Sequence, residues 1–309
     1  MNTWSNVSAS LVLARAVHFG ACLLLLNIWI FDRFIAAPAA RLWPRLRETW
    51  RSIAKILIWL SLPTTFLSGI FWFFLVARGM SGLPFAQAIH PTILAEVWNQ
   101  TVFGAVWKLR LLFWVGTTVF SLLALRRPLA VWLATLFAAL LSASLAWAGH
   151  AQTGRAVPWH LAADVLHLLF AAIWPVGLLP LLLVLLNLRR SNANEKWLVL
   201  HTLVQRFSIT SLISVGVLIA TGYANALLLI GSFSNLFHMP YGRLLLIKIA
   251  LFLTMIVIGF INMNQLKPRL MRGGSETARQ LQLNVAIELA LAMLILVVIG
   301  VLGLLPPSP

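Results

Sequence analysis

The chain has 309 residues, of which 61% are hydrophobic and only 10% charged, yet 23 Lys and Arg against 7 Asp and Glu give a formal charge of +16. This composition excludes a soluble globular protein and describes a polytopic membrane protein. The single Cys excludes a disulfide framework and any CxxC metal or redox motif. In chain order, eight stretches approach the roughly 20 apolar residues that a bilayer-crossing helix needs. They run over 8–31, 53–77, 103–125, 128–149, 159–188, 206–231, 241–263 and 284–305. None alternates with the period of a membrane β-strand. Residues 1–14 hold no Lys or Arg, so the first stretch reads as retained structure rather than a secretory signal. Between spans 2 and 3, residues 78–102 carry Gly79, Gly82, Pro84 and Pro91 and then Thr92–Gln100. That order predicts a turn-rich loop followed by a short interfacial helix. Pro175 and Pro180 predict a kink in span 5.

The positive charge is one-sided. Sixteen of the 23 Lys and Arg fall in the loops joining spans 1–2, 3–4, 5–6 and 7–8 or at the span ends beside them. By the positive-inside rule these loops are cytoplasmic, and both termini are periplasmic. Bilayer topology and anionic lipid account for the charge, and nucleic acid is not a partner. Trp residues gather near span ends, as interfacial anchors do.

The two halves echo each other. Phe103-Gly104 leads to Arg110 as Tyr241-Gly242 leads to Lys248; Ser68-Gly69 matches Thr221-Gly222, and His18 matches His167. Four spans per half keep both halves in one orientation, so the expected fold is all-α, with eight transmembrane helices arranged as two parallel four-helix repeats. The repeats are assigned to residues 1–150, including the 78–102 loop, and 151–309.

The matched histidines are the leading candidates for chemistry. A polar ring deep in lipid is costly unless partnered, so two at one depth are expected to meet each other or one ligand between them. In span 5, His160, Asp164 and His167 stand at i, i+4 and i+7, on one helix face. A carboxylate beside a histidine fixes its tautomer and raises its basicity, as around metal-binding imidazoles. Cys22, four residues after His18, adds a thiol suited to Cu(I) or Zn on the same face. On the opposite side from the basic loops lie Met80, His90, His150 and the pair His238-Met239; of seven histidines only His201 falls on the basic side. Thioether and imidazole donors with few carboxylates select copper, as Cu(I) or Cu(II), over Ca, Mg or Mn. Arg15, Lys108, Arg110 and Lys248 place cations in the same half of the bilayer. Glu288, Asn225 and Asn262 are further intramembrane polar residues. No hydrolase triad, Walker loop or dinucleotide fingerprint occurs, so the chain is read as a non-enzyme.

Three segments resemble one family. They are Gly149-His150-Ala151, the run Asp164-Val165-Leu166-His167-Leu168 with Ala171-Ala172-Ile173-Trp174-Pro175-Val176-Gly177-Leu178, and Tyr241-Gly242-Arg243-Leu244-Leu245-Leu246-Ile247-Lys248. They are similar to the copper resistance protein D family of bacterial inner-membrane proteins. That family usually shows a Gly pair after the tryptophan, where this chain has Pro175-Val176-Gly177. The resemblance implies an eight-span copper permease of the inner membrane, working in copper resistance with a small periplasmic copper-binding protein. It carries a metal role onto His150, Asp164 and His167 by motif, and onto His18 through the repeat.

Two other readings stay open on the residues alone. Two intramembrane histidines on facing helices could ligate a b-type haem for electron transfer. Alternatively the outer ligands could serve a non-transporting receptor for a periplasmic copper chaperone.

Overall fold

Lipid offers no partner for backbone N–H and C=O groups, so each apolar stretch must close its own hydrogen bonds as a helix. The computed structural model describes residues 8–148, 157–189, 196–272 and 274–306, and among these there are helices and no strand. Among the described residues, eight helices are long and apolar enough to cross a membrane. Spans 1 and 2 are α1 (Ala9–Phe31) and α2 (Arg45–Ser81). Two short helices follow, α3 (Phe85–Ala88) and α4 (Pro91–Gln100), the second where the turn-rich loop was expected to end in one. Spans 3 and 4 are α5 (Val102–Ala124) and α6 (Ala130–Ala143), the latter extended by a 3-10 turn over Ser144–Ala148. Span 5 is broken into α7 (Val157–Ile173) and α8 (Leu178–Arg189). Span 6 is α9 (Lys196–Ile230), followed by the short α10 (Phe233–His238). Spans 7 and 8 are α11 (Pro240–Ile261) and α12 (Ser275–Leu302).

α2 and α9 start about two to three turns before their apolar stretches, at Arg45 and Lys196, because a helix that enters the basic headgroup layer keeps its own hydrogen bonds. Within the first four spans α1 packs on α2 and α6, and α5 packs on α6. Within the last four, α7 packs on α9, α8 on α12, and α11 on α12. α1 also touches α7 and α12, which joins the two groups and makes it the most enclosed span.

The expected kink in span 5 is a complete break. Pro175 has no N–H, and the peptide carbonyls of Ala172 and Ile173 are left open over Trp174–Gly177. Asn27 of α1 closes them, its Nδ2 donating to Ala172 O at 2.8 Å and Ile173 O at 3.2 Å. Gly177 is required there, since an added Cβ would strike the Ile173 carbonyl and lie 3.0 Å from Asn27 Nδ2. Below the break, Gln282 of α12 donates to Leu185 O at 2.9 Å. Spans 1 and 7 each widen into one π-helical turn, Asp32–Ala36 and Asn262–Leu266, two residues before Pro38 and Pro268. A wide turn absorbs the ring and missing donor of the following proline.

The aromatic-Gly pairs also have a packing reason. A Cβ at Gly104 would collide with the carbonyl oxygens of Val97 and Trp98 in α4, and one at Gly242 with Asn235 and Leu236 of α10. Each glycine therefore lets a short helix fold back against the start of the span it precedes. The buried Asn27 amide carries the clearest energetic consequence. Asn27→Leu should lower stability by about 1 kcal/mol, the usual scale of a polar contact between membrane helices. A thermal melt in detergent checks this, and an unchanged midpoint would show that another group closes the break.

Candidate functional site

His18 of α1 is 2% exposed and sits among three helices. Arg110 of α5, also 2% exposed, reaches His18 Nε2 with its Nη2. A guanidinium only donates, so Nε2 must be the lone-pair nitrogen and Nδ1 must carry the proton. Nδ1 lies 3.1 Å from Ser68 Oγ of α2, and that hydroxyl spends its own hydrogen on Thr64 O at 2.6 Å, leaving a lone pair for the imidazole N–H. The cation thus sets the tautomer and the hydroxyl holds the ring. Gly69 allows the approach: an added Cβ would lie 3.0 Å from both His18 Cε1 and Trp107. Trp72 and Trp107 flank the ring at centroid distances of 5.4 and 5.7 Å. Cys22, fully buried, places its Sγ 3.6 Å from His18 Nε2 and 3.7 Å from Arg110. Arg110 spends Nη1 on Ser144 Oγ at 2.6 Å and Leu141 O at 3.4 Å.

His167 of α7 is set the same way in the last four spans. Lys248 Nζ of α11 lies 3.5 Å from His167 Nε2, and Thr221 Oγ1 of α9 lies 2.9 Å from Nδ1. Thr221 donates in turn to Val217 O at 2.6 Å. A Cβ on Gly222 would meet His167 Cε1 at 3.5 Å, an ordinary contact. Asn225 donates to Asp164 Oδ1 at 3.4 Å, and Asp164 lies within electrostatic reach of Lys248.

The two rings therefore do not serve each other. Both nitrogens of each are engaged by hydroxyl and cation within its own group of spans, so the expected meeting of His18 and His167 does not occur. The reason is electrostatic: each buried cation needs a neutral acceptor close by, and the nearest imidazole supplies it.

The other candidates are scattered. His160 is buried on α7, while Met80, His90 and His238 are exposed. His90 pairs with Thr92 Oγ1 at 3.0 Å, His238 Nδ1 donates to Ser234 O at 2.9 Å, and Met239 is half-buried after α10. His150 lies outside the described residues. Among the described residues no three His, Cys, Asp or Glu side chains converge as a metal cluster. The best-matched soft donors are His18 and Cys22, whose separation lets one small ion bridge imidazole and sulfur once Arg110 has moved. On the basic side, Glu288 of α12 accepts from Asn262 Nδ2 at 2.7 Å, and Asn284 donates to Asn262 Oδ1 at 2.7 Å. Sequence reasoning had Glu288 and Asn262 singly and missed Asn284; the i and i+4 spacing of Asn284 and Glu288 along α12 was the available signal for a cluster.

Residues 1–160 match the profile of the copper resistance protein D-like N-terminal domain, and residues 201–302 match that of copper resistance protein D. The chain belongs to the copper resistance protein D family. It is 30% identical over 244 residues to copper resistance protein D of Pseudomonas syringae pv. tomato, covering 76% of this chain and 78% of that one. It is 31% identical over 238 residues to the copper transport protein CutJ of Bacillus subtilis, covering 75% of this chain and 42% of the relative. Inner membrane protein YebZ of Escherichia coli is 27% identical over 301 residues, covering 95% and 97%. No solved structure matches. Within this family member the two histidine sites differ in tolerance. Gly69→Ala should cost about 1–3 kcal/mol, because His18 and Trp107 must both shift. Gly222→Ala should stay within about 0.5 kcal/mol. Equal losses in detergent melts would contradict the packing described.

Proposed function

We propose that this protein moves copper across the bacterial inner membrane as part of copper resistance. The supporting observation is a pair of intramembrane histidines in a copper resistance protein D family chain, each with its Nε2 lone pair held toward a buried cation. A lone pair oriented on a tethered cation is also oriented for a metal cation, and Arg110 and Lys248 act as stand-ins that copper displaces. Competition of this kind makes binding reversible, which transport requires. Cys22 adds a sulfur donor at His18, and Asp164 compensates charge at His167.

In this reading copper is the cargo and no reaction is catalysed. Met80, His90, His150, His160, His238 and Met239 gather it on the side away from the basic loops. That side is periplasmic under the positive-inside rule, with both chain termini there. A small periplasmic copper-binding protein delivers it. The parallel order of histidine, hydroxyl-Gly pair and cation in both groups of spans supports two four-helix repeats, 1–150 and 151–309.

The test is the copper content of bacteria expressing the chain, by elemental analysis against an empty-vector control. His167→Ala should remove most of the difference from the control, and Asp164→Asn should remove less. Because the two sites have separate partners, losses from His18→Ala and His167→Ala in a metal-binding titration should add. Variants indistinguishable from wild type would refute the intramembrane ligands. A Soret band lost with His167 would replace copper by haem.

A further inference from the structure

Glu288 of α12 is a charge-bearing group that the copper sites do not use. It is the fourteenth of that helix's 28 residues, at the middle of span 8, and 2% exposed. Its Oε1 accepts from Asn262 Nδ2, and Asn262 Oδ1 accepts from Asn284 Nδ2, so the amide chain runs one way, with its donors toward the carboxyl. Its Oε2 accepts from no donor among the described residues. α11 passes that oxygen as Gly259, where an added Cβ would lie 3.6 Å from Oε2 and 3.9 Å from the Trp174 ring. Other carboxyls in the spans have cations to answer them: Asp164 has Lys248, and Asp32 has Arg33, Arg47 and Arg51. Glu288 has no such partner. α1, α8 and α11 pack against α12. On α1, Arg15 lies over Trp72, and His18 and Cys22 meet Arg110. On α11, Lys248 is at His167, Tyr241 is near Asp164, and Arg243 donates to Phe237 O at 2.9 Å. Lys267 and Arg269 follow α11, Arg189 is the last residue of α8, and Arg279 stands nine residues before Glu288 on its own helix. No described side chain among these pairs with Glu288.

A carboxylate in hydrocarbon with one amide donor is costly, and a bound proton removes its charge. The amide chain fixes where that proton sits. Oε1 is already an acceptor, so the proton belongs on Oε2. The histidine sites add a second constraint. Arg15, Arg110 and Lys248 already place three fixed cations beside His18 and His167, against the one carboxyl of Asp164. Each copper ion that enters adds to a positive charge that a low dielectric penalises. Glu288 lies further toward the basic side: Gly259, beside its Oε2, is eleven residues past Lys248 on α11, about 16 Å along the axis. We propose that Glu288 is a proton-exchange site that makes copper movement a one-for-one exchange of Cu(I) against a proton. This rests on the transport reading and deepens it. The carboxyl holds its proton while the copper sites are empty. When Cu(I) adds its charge, the O–H bond at Oε2 breaks and the proton leaves to the side from which copper came. When the ion has left, a proton from the basic side, where Asn262 and Asn284 approach the carboxyl, re-forms the bond. No electron moves, and the charge inside the bundle is the same before and after.

The experiment uses the full chain in proteoliposomes, with Cu(I) kept reduced outside, a pH dye inside, and the interior about one pH unit more acid than the medium. Wild type should accumulate Cu(I) roughly tenfold, the factor that one pH unit carries in a one-for-one exchange, while the dye reports loss of internal protons. A proton ionophore should abolish both. Glu288→Gln keeps an acceptor for Asn262 but has no proton to release, so copper should at most equalise across the membrane, with no change in the dye. Glu288→Asp should retain the coupling, which a misfolded chain would not. Infrared difference spectra read the site without copper: a protonated-carboxyl band should weaken as pH rises and be missing from Glu288→Gln. Copper entry without proton loss, coupling that survives Glu288→Gln, or no such band in wild type would overturn the proposal and leave the transport reading standing. No copper entry under any gradient would overturn both.

Discussion

A charge carried into the hydrocarbon layer must find its partner within the protein, and the architecture of this chain is arranged around two such charges. Arg110 and Lys248 each meet a neutral imidazole at its Nε2. An isolated ammonium or guanidinium in lipid is costly, and an imidazole lone pair is among the few neutral acceptors that can answer it. Once the cation takes Nε2, the tautomer is decided, and Ser68 and Thr221 become useful because their own hydrogens go to Thr64 and Val217. Gly69 beside Ser68 follows from the need to bring the His18 ring close to the helix, whereas Gly222 beside Thr221 leaves room for a methyl group. Histidine, hydroxyl, glycine and cation are one unit in physical terms.

The two units are not equivalent. Three residues before its histidine, the first has Arg15 and the second Asp164; four residues after, the first has Cys22 and the second Ala171. Arg15 rests its guanidinium 5.1 Å from the Trp72 ring centroid and 5.8 Å from that of Phe19, so its charge is met by aromatic faces. Asp164 instead offsets Lys248. The first unit is thus more positive and holds the softer donor. The second has the carboxylate and the ladder from His160.

Rigid placement of these groups depends on irregular backbone elsewhere. Span 5 is cut at Pro175, and Asn27 binds the exposed carbonyls, which ties α1 to the break and holds the helix bearing His167 against the one bearing His18. The π turns before Pro38 and Pro268 do the same for the basic ends of spans 1 and 7. In lipid such irregularities persist only where another helix satisfies them, so they mark the contacts that define the bundle.

Sequence alone determined the class of the protein, its eight spans, the short helix expected over 92–100 and found over Pro91–Gln100, and the identity of His18, His167, Arg110, Lys248 and the hydroxyl-Gly pairs as corresponding anchors. Apolar length, proline and polar residues in lipid are local signals, legible because the bilayer removes nearly every alternative to helix. The break at Pro175 was visible as a kink, but its closure by Asn27 was not, since the partner lies 145 residues away. Only the tertiary structure decided which charge meets which ring. Proximity of two histidines in depth says nothing about their lateral separation in the membrane plane, which is set by how whole helices pack.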